Sequence, residues 1–321
     1  MSQLQISLFG TLSCAVDNDP VIGLESRRAQ ELLGFLALHR RPQRREAVAV
    51  ALWGDRPDQQ AKKGLRQALW LLQSALQGST ARTGEPFLLC DGDMIGFHPQ
   101  ADLWVDAGVM ETAYFRLQAS NGLGLNSTQV GEVCSAVKLY HGDLLEGWYD
   151  DWCIPERERH QHMYLGMLDK LMDYYEAAGD YQAGLDCGLL VLQHDRAREK
   201  THRRQMRLYY LNGERTLALQ QYEACVQALQ DELGVAPARS TKHLYEQISS
   251  DRFDDVAAMG SRLAHTRYGA DEAGVDSPIE DLLKIKYELE RLHKAVVVVI
   301  DALTDSPTPY FAAPNRKIDA H

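Results

Sequence analysis

Residues 62–77, KKGLRQALWLLQSALQ, decide how the first part of the chain is read. At 3.6 residues per turn Leu65, Leu69, Leu72 and Leu76 fall on one stripe, spaced four, three and four, so the segment is predicted to be a helix with one buried face. Lys63, Gln67, Trp70 and Ser74 form another stripe, flanked by Lys62, Arg66 and Gln73. A weakly basic outer face carrying a large indole is not needed by a core, and it calls for a function.

The segments around this helix set its context. LQISLFGTLSCAVDNDPVIGL (4–24) is rich in Leu, Ile, Val and Phe and broken by DNDP, which reads as short strands joined by a turn. SRRAQELLGFLALHRR follows with Leu32, Leu33, Phe35, Leu36 and Leu38 on a helical period, Ser26 as N-cap and Pro42 as the stop. REAVAVALWGD gives a second, shorter helix closed by Gly54 and Pro57, and PFLLCDGDMIGFH places Asp91-Gly92 between two apolar runs as a hairpin turn. The order is sheet, three helices, hairpin.

From about residue 104 to 250 the pattern is helical throughout, with loops at NGLGLNST, HGDLLEG and AAGD. A repeat appears at an offset of 34 residues: Met172, Tyr175, Gly179 and Leu185 recur as Met206, Tyr209, Gly213 and Leu219. That is the tetratricopeptide period, in which helix pairs bury their faces by stacking on neighbours. Residues 251–277 read as a polar linker. In 278–304 Leu282, Ile285, Leu289, Leu292, Val296, Val299 and Leu303 alternate spacings of three and four, an amphipathic seam suited to a coiled-coil homodimer or to folding back on the preceding helices. Residues 305–321 read as a disordered tail.

Bulk properties narrow the classes. The 321 residues suit two cores, with 45% hydrophobic and 25% charged content typical of a globular protein. With no signal peptide and no apolar run able to span a bilayer, the expected setting is cytoplasmic, with no membrane partner. Six cysteines at least nineteen residues apart, with no C-x-x-C, are read as buried, reduced thiols. The net charge of −11 is uneven: residues 1–95 hold eleven Lys/Arg against ten Asp/Glu, leaving 23 against 35 in the remainder. A balance of +1 is low for a DNA-binding domain, which must then work through a few focused charges or as more than one copy.

No catalytic residues, cofactor or metal site is expected. There is no G-x-x-x-x-G-K-[ST], G-x-S-x-G or H-E-x-x-H, and an enzyme is therefore not the reading. ERERHQH (156–162) brings His160 and His162 near carboxylates, but residues i and i+2 face apart on a helix, and the segment is read as a solvated polar face. Asp143, Glu146, Asp150 and Asp151 are read as structural.

Several of these phrases resemble a known family. LQISLFGTL, SRRAQELLGFLALH, ALWGD and LRQAL resemble the OmpR-type winged helix of the SARP-type bacterial transcriptional regulators. LYHGDLLEGWYDDWCIPERERHQ, GDYQAGLDC and ALQQYEACVQALQDELGVAPARSTKHLYEQI resemble their bacterial transcriptional activator domain. The resemblance covers roughly residues 3–250. It implies an α+β winged helix-turn-helix over 1–97 and an all-α tetratricopeptide-like domain over 104–250; the short C-terminal helix is read from its heptad spacing alone. It also implies a transcriptional activator that binds double-stranded DNA at direct repeats as a side-by-side pair and contacts RNA polymerase. By the same resemblance Lys62, Lys63, Arg66, Gln67, Trp70 and Ser74 face DNA, and Arg44 and Arg45 set the start of the second helix against a phosphate. The chain departs from the family where members carry several arginines late in the third helix, since ALWLLQSAL stands there. That departure keeps an alternative open, a protein-binding co-regulator or antagonist with weakened or lost DNA binding.

Overall fold

The computed structural model describes residues 2–80, 86–119 and 125–252, with the side chains of 78–80 and 119 left aside. The linker, heptad seam and tail expected beyond residue 252 lie outside the described residues.

The chain opens with β1 (Gln3–Ser7), β2 (Ser13–Val16) and β3 (Asp19–Pro20), followed by α1 (Arg27–Leu38), β4 (Gln43–Arg44), α2 (Arg45–Trp53) and α3 (Asp58–Thr80). Strands β5 (Leu88–Asp91), β6 (Met94–Phe97) and β7 (Asp102–Val105) complete this part. One sheet has the order β3-β2-β1-β7, with β7 parallel to β1 and Leu4 opposite Leu103. The other is β4-β6-β5. Leu4 and Ile6 of β1 are fully buried while Gln3, Gln5 and Ser7 are half-buried, the alternation of a sheet packed on one face. Neither the short β4 nor β7 is announced by an apolar run, and their pairing comes from the tertiary fold.

Three details refine the sequence reading. Ser26 does sit at the N-cap of α1, but its side chain makes no capping hydrogen bond. The β5–β6 turn is one residue later than Asp91-Gly92: Asp91 pairs with Met94, and the two-residue loop is Gly92-Asp93, with Gly92 at φ +53°. The left-handed conformation required there is one glycine adopts without strain. Among the cysteines, Cys14, Cys153, Cys187 and Cys225 are buried as expected, but Cys90 is exposed on the edge strand β5 and Cys134 is half-buried.

The remaining described elements are helices: α4 (Asp106–Ala119), α5 (Ser127–Leu139), α6 (Ile154–Ala178), α7 (Tyr181–His194), α8 (Glu199–Leu211), α9 (Arg215–Leu233) and α10 (Arg239–Ser249). The 34-residue repeat is visible in three dimensions. Met172 and Met206 are both fully buried, on α6 and α8. Gly179 and Gly213 both turn the chain between paired helices at φ +76° and +83°. Helices α6 with α7, and α8 with α9, are the two hairpins so related.

The two halves meet through main chain as well as side chains. The Leu8 carbonyl accepts from Leu145 N–H at 2.8 Å, Gly10 N–H donates to the Asp143 carbonyl at 2.8 Å, and Glu146 N–H donates to the Gly10 carbonyl at 3.0 Å. Asp106, at the start of α4, is 1% exposed and receives the amides of Leu8, Phe9 and Ala107. Within the second half, Arg157 of α6 fixes the loop that makes these contacts, donating to the carbonyls of Leu144, Leu145 and Trp148 at 2.9, 2.7 and 2.6 Å. These bonds satisfy loop main chain that would otherwise be buried unpaired. They also explain HGDLLEG: the acidic residues in and after it are structural, with Asp143 accepting from the Tyr140 hydroxyl at 3.0 Å and Asp150 pairing with Arg27 at 2.7 Å.

Candidate nucleic-acid interface

On α3 the predicted stripe is buried: Leu65 is 3% exposed, Leu69 6%, Leu72 0% and Leu76 3%. At about 1.5–3 kcal/mol per buried leucine this stripe is what fixes the rotation of the helix about its axis. The opposite face follows from it. Lys63, Arg66, Gln67, Trp70 and Ser74 are exposed and Lys62 is half-exposed. Trp70 is 65% exposed, so it belongs to the outer face and not to a contact with the helical repeats.

The partners of these groups differ. Lys62 pairs with Glu46 at 2.9 Å and with Asp58 at 3.1 Å, and those two hydrogen bonds hold its ammonium above the ordinary lysine range. Its charge is therefore already answered within the protein. The Gln67 amide oxygen accepts from Arg28 of α1 at 3.1 Å, which adds Arg28 to the same surface. Lys63 and Arg66 have no ion pair among the described residues. Farther along, Gln73 donates to Cys90 Sγ at 3.3 Å, tying α3 to the edge of the β4-β6-β5 sheet.

At the start of α2 the two arginines part company. Arg44 is exposed on β4. Arg45 is half-buried, its Nε has no hydrogen-bond partner, and its backbone N–H is taken by the Asp93 carbonyl at 2.8 Å. Of the two, Arg44 alone offers an open charge, and one of the amides that a helix start would present to a phosphate is already occupied.

Helices α1, α2 and the helical repeats are joined by a relay, buried at Glu31 and Trp53 and open to solvent at Arg27 and Asp150, that the sequence reading did not name. Arg27 stacks its guanidinium 3.8 Å from the Trp148 ring centroid and pairs with Asp150. Its Nε donates to Glu31 at 3.0 Å, and the other Glu31 oxygen accepts from Trp53 Nε1 at 2.9 Å. Trp53 lies against Gly64 of α3. Glu31 sits among Leu32, Leu33, Leu36 and Trp53, where periodicity marks a polar residue as facing outward, so only the tertiary partner explains it.

The ERERHQH reading is corrected in part. His162 is exposed, but His160 is fully buried. The signal was present in the sequence: His160 precedes Met163, Tyr164, Met167, Leu168, Leu171 and Met172 at three- and four-residue spacings, all on the buried stripe of α6. An open groove of about 560 Å³ lies elsewhere, lined by Arg40, Leu103, Trp104, Gly108, Arg116 and Glu132 among others; Arg116 and Glu132 pair at 3.5 Å across it.

Comparison with known proteins accords with this geometry. Residues 105–249 match the bacterial transcriptional activator domain. The solved structure of Mycobacterium tuberculosis EmbR in complex with a low-affinity phosphopeptide is similar over 83% of this chain and 70% of that one, with a TM-score of 0.59 at 19% identity, a likeness of fold. No curated protein matches the chain. The sheet, three helices and β-hairpin of the winged helix thus precede a segment that matches the bacterial transcriptional activator domain. The family match covers the helical part of the chain, residues 105–249, and the likeness to EmbR is one of fold. Among the described residues no helix is long and apolar enough to cross a membrane.

Proposed function

We propose that the protein is a sequence-specific, DNA-binding transcriptional activator without enzymatic activity, using α3 as the recognition helix. The observation that carries this reading is the outer face of α3, where Lys63, Arg66, Gln67 and Trp70 are exposed while the opposite leucine stripe is buried. A recognition helix reads mainly through its N-terminal half, and that is where the exposed charges lie. Arg66 is suited to a guanine edge or a phosphate, Gln67 to adenine, and Trp70 to a thymine methyl or a sugar. Arg28 and Arg44 add phosphate contacts at the flanks.

In this reading the winged helix spans residues 1–97 and the activator domain 104–250, the latter meeting RNA polymerase. Two copies occupy direct repeats, and the seam Leu282, Ile285, Leu289, Leu292, Val296, Val299 and Leu303 supplies a homodimer contact. Pairing offsets the weak charge of each winged helix by raising the effective concentration of the second. Light scattering of the full chain against a chain ending at residue 276 tests the seam: loss of a dimer on truncation supports it, and a monomeric full chain at micromolar concentration rules it out.

A second reading is favoured by the pairing of Lys62 with Glu46 and Asp58, which removes one of few cations from the surface: a protein-binding co-regulator that no longer holds DNA. Gel-shift titration on the DNA flanking its own gene, at low and moderate salt, separates the two. An activator gives retardation that falls steeply with salt, and Arg66→Ala weakens it by about 1–3 kcal/mol. Absence of retardation at both salts would establish the co-regulator.

A further inference from the structure

His160 of α6 is fully buried, with the Phe9 ring edge-on at 5.9 Å between centroids. Its Nδ1 lies 2.7 Å from the Glu156 carbonyl oxygen, which can only accept, so Nδ1 carries a hydrogen and Nε2 is the ring nitrogen left to bind a cation. That Nε2 is buried without a hydrogen-bond partner and sits 3.3 Å from Oε1 of Glu111 on α4. Two facing lone pairs would repel at that distance, so a proton or a metal cation has to lie between them. Arg159 bonds both Glu111 and Glu156, but it answers the carboxylates and not Nε2.

We propose that His160 Nε2, Glu111 and Glu156 form a binding site for a divalent transition-metal ion of the zinc type. The three ligand atoms lie within 4.8 Å of one another. The Nε2–Oε1 separation matches the distance of about 3.3–3.4 Å between two ligands on a tetrahedral ion with bonds near 2.0–2.1 Å. A carbonyl holding Nδ1–H is the usual way a metal-ligating histidine is oriented and its tautomer fixed. Glu156 and His160 are four residues apart on one helix and so share a face, while Glu111 comes from the neighbouring helix. One imidazole with two carboxylates suits zinc, cobalt, manganese or ferrous iron better than calcium or magnesium. The Arg159 side chain is 39% exposed and swings toward solvent as the ion takes over its charge. Water completes the coordination. The ion would lie behind Phe9, whose amide is held by Asp106, and would brace the joint between the winged helix and the repeats.

The test uses the full chain, stripped with chelator and titrated with Co²⁺, read by visible d–d absorption and calorimetry. Wild type and His162→Gln take up one equivalent. His160→Gln and Glu111→Gln bind at least tenfold more weakly, and Arg159→Met, which removes the competing cation, binds more tightly. Circular dichroism checks each fold; if His160→Gln does not fold, Glu111→Gln and Arg159→Met decide between them. Absence of saturable d–d bands in wild type, or bands unchanged in Glu111→Gln, overturns the proposal and leaves a proton between Nε2 and Glu111.

Discussion

Asp106 is the residue whose removal most directly tests the account of the joint. Its carboxylate accepts from Leu8 N–H at 2.8 and 2.9 Å, Phe9 N–H at 3.0 Å and Ala107 N–H at 2.6 Å. Leu8 and Phe9 are fully buried, so Asp106→Ala leaves two inner amides with no route to water. Each unsatisfied buried donor costs about 1–3 kcal/mol. Against this stands relief of the carboxylate's own burial, which pushes its pKa above the ordinary 3.8 despite the three amides. The net expected loss is about 2–5 kcal/mol of unfolding free energy. Asp106→Asn is expected to lose nearly as much, because its amide nitrogen would turn N–H against N–H. Because the folded pKa is raised, the pH-linked part of the contribution is present below 3.8 and lost as pH rises through the folded value, leaving at pH 7 the net of the amide bonds over carboxylate burial, where the variants differ least from wild type. Urea unfolding followed by tryptophan fluorescence and circular dichroism measures the loss. Both variants falling within about 0.5 kcal/mol of wild type at pH 7 would refute the reasoning, since it would mean that Leu8 and Phe9 find other acceptors.

Three further outcomes follow from particular residues. Trp70→Arg should leave stability within about 0.5 kcal/mol, because the indole is largely exposed, and should tighten non-specific DNA binding with a steeper salt slope; unfolding would mean that α3 is rotated from the described phase. Gly213→Ala should cost about 1–2 kcal/mol purely through its left-handed backbone, since nothing lies within 4 Å of the added methyl, and an unchanged melting temperature would remove the repeat turn from the account. Glu111 titrates below the usual 4.5: burial raises it, but the neighbouring His160 ring and the Arg159 charge outweigh burial. The stability it contributes is fully present above 4.5 and lost as pH falls through the folded value, so Glu111→Gln, measured with chelator present, should flatten the acid side of the stability profile.

What the sequence made legible was periodic. The leucine stripe of α3 sets its exposed face, and the 34-residue offset marks the hairpins of α6–α9 because each repeat must place the same positions on the same neighbour. Polar residues in the core were not legible. Glu31, Asp106 and His160 are charged or polar types that pattern reading sends to solvent, and each is buried by a partner far away in sequence: Trp53, the Leu8–Phe9 amides and Glu111. The candidate DNA contacts were legible as a face but not as a set. That Lys62 is paired with Glu46 and Asp58, that Arg45 is half-buried, and that Arg28 reaches Gln67 all depend on how α1, α2 and α3 cross.

The same partners bear on how rigidly α3 is held. A surface ion pair such as Lys62–Glu46 contributes about 0–1 kcal/mol and could not by itself orient a domain. The contact between the halves is of another kind: main-chain hydrogen bonds from Leu8 and Gly10 to the loop at 143–146, and the buried Asp106 carboxylate on the Leu8 and Phe9 amides. Backbone groups have no rotamers to lose and leave an unpaid desolvation if they separate, so the β1 end of the winged helix cannot slide on the repeats without breaking several at once. From that fixed edge the Asp150–Arg27–Glu31–Trp53 relay runs through α1 and α2 to the flank of α3. The flank of α3 is thereby linked, through Trp53, Glu31 and Arg27, to the edge of the helical repeats at Trp148 and Asp150.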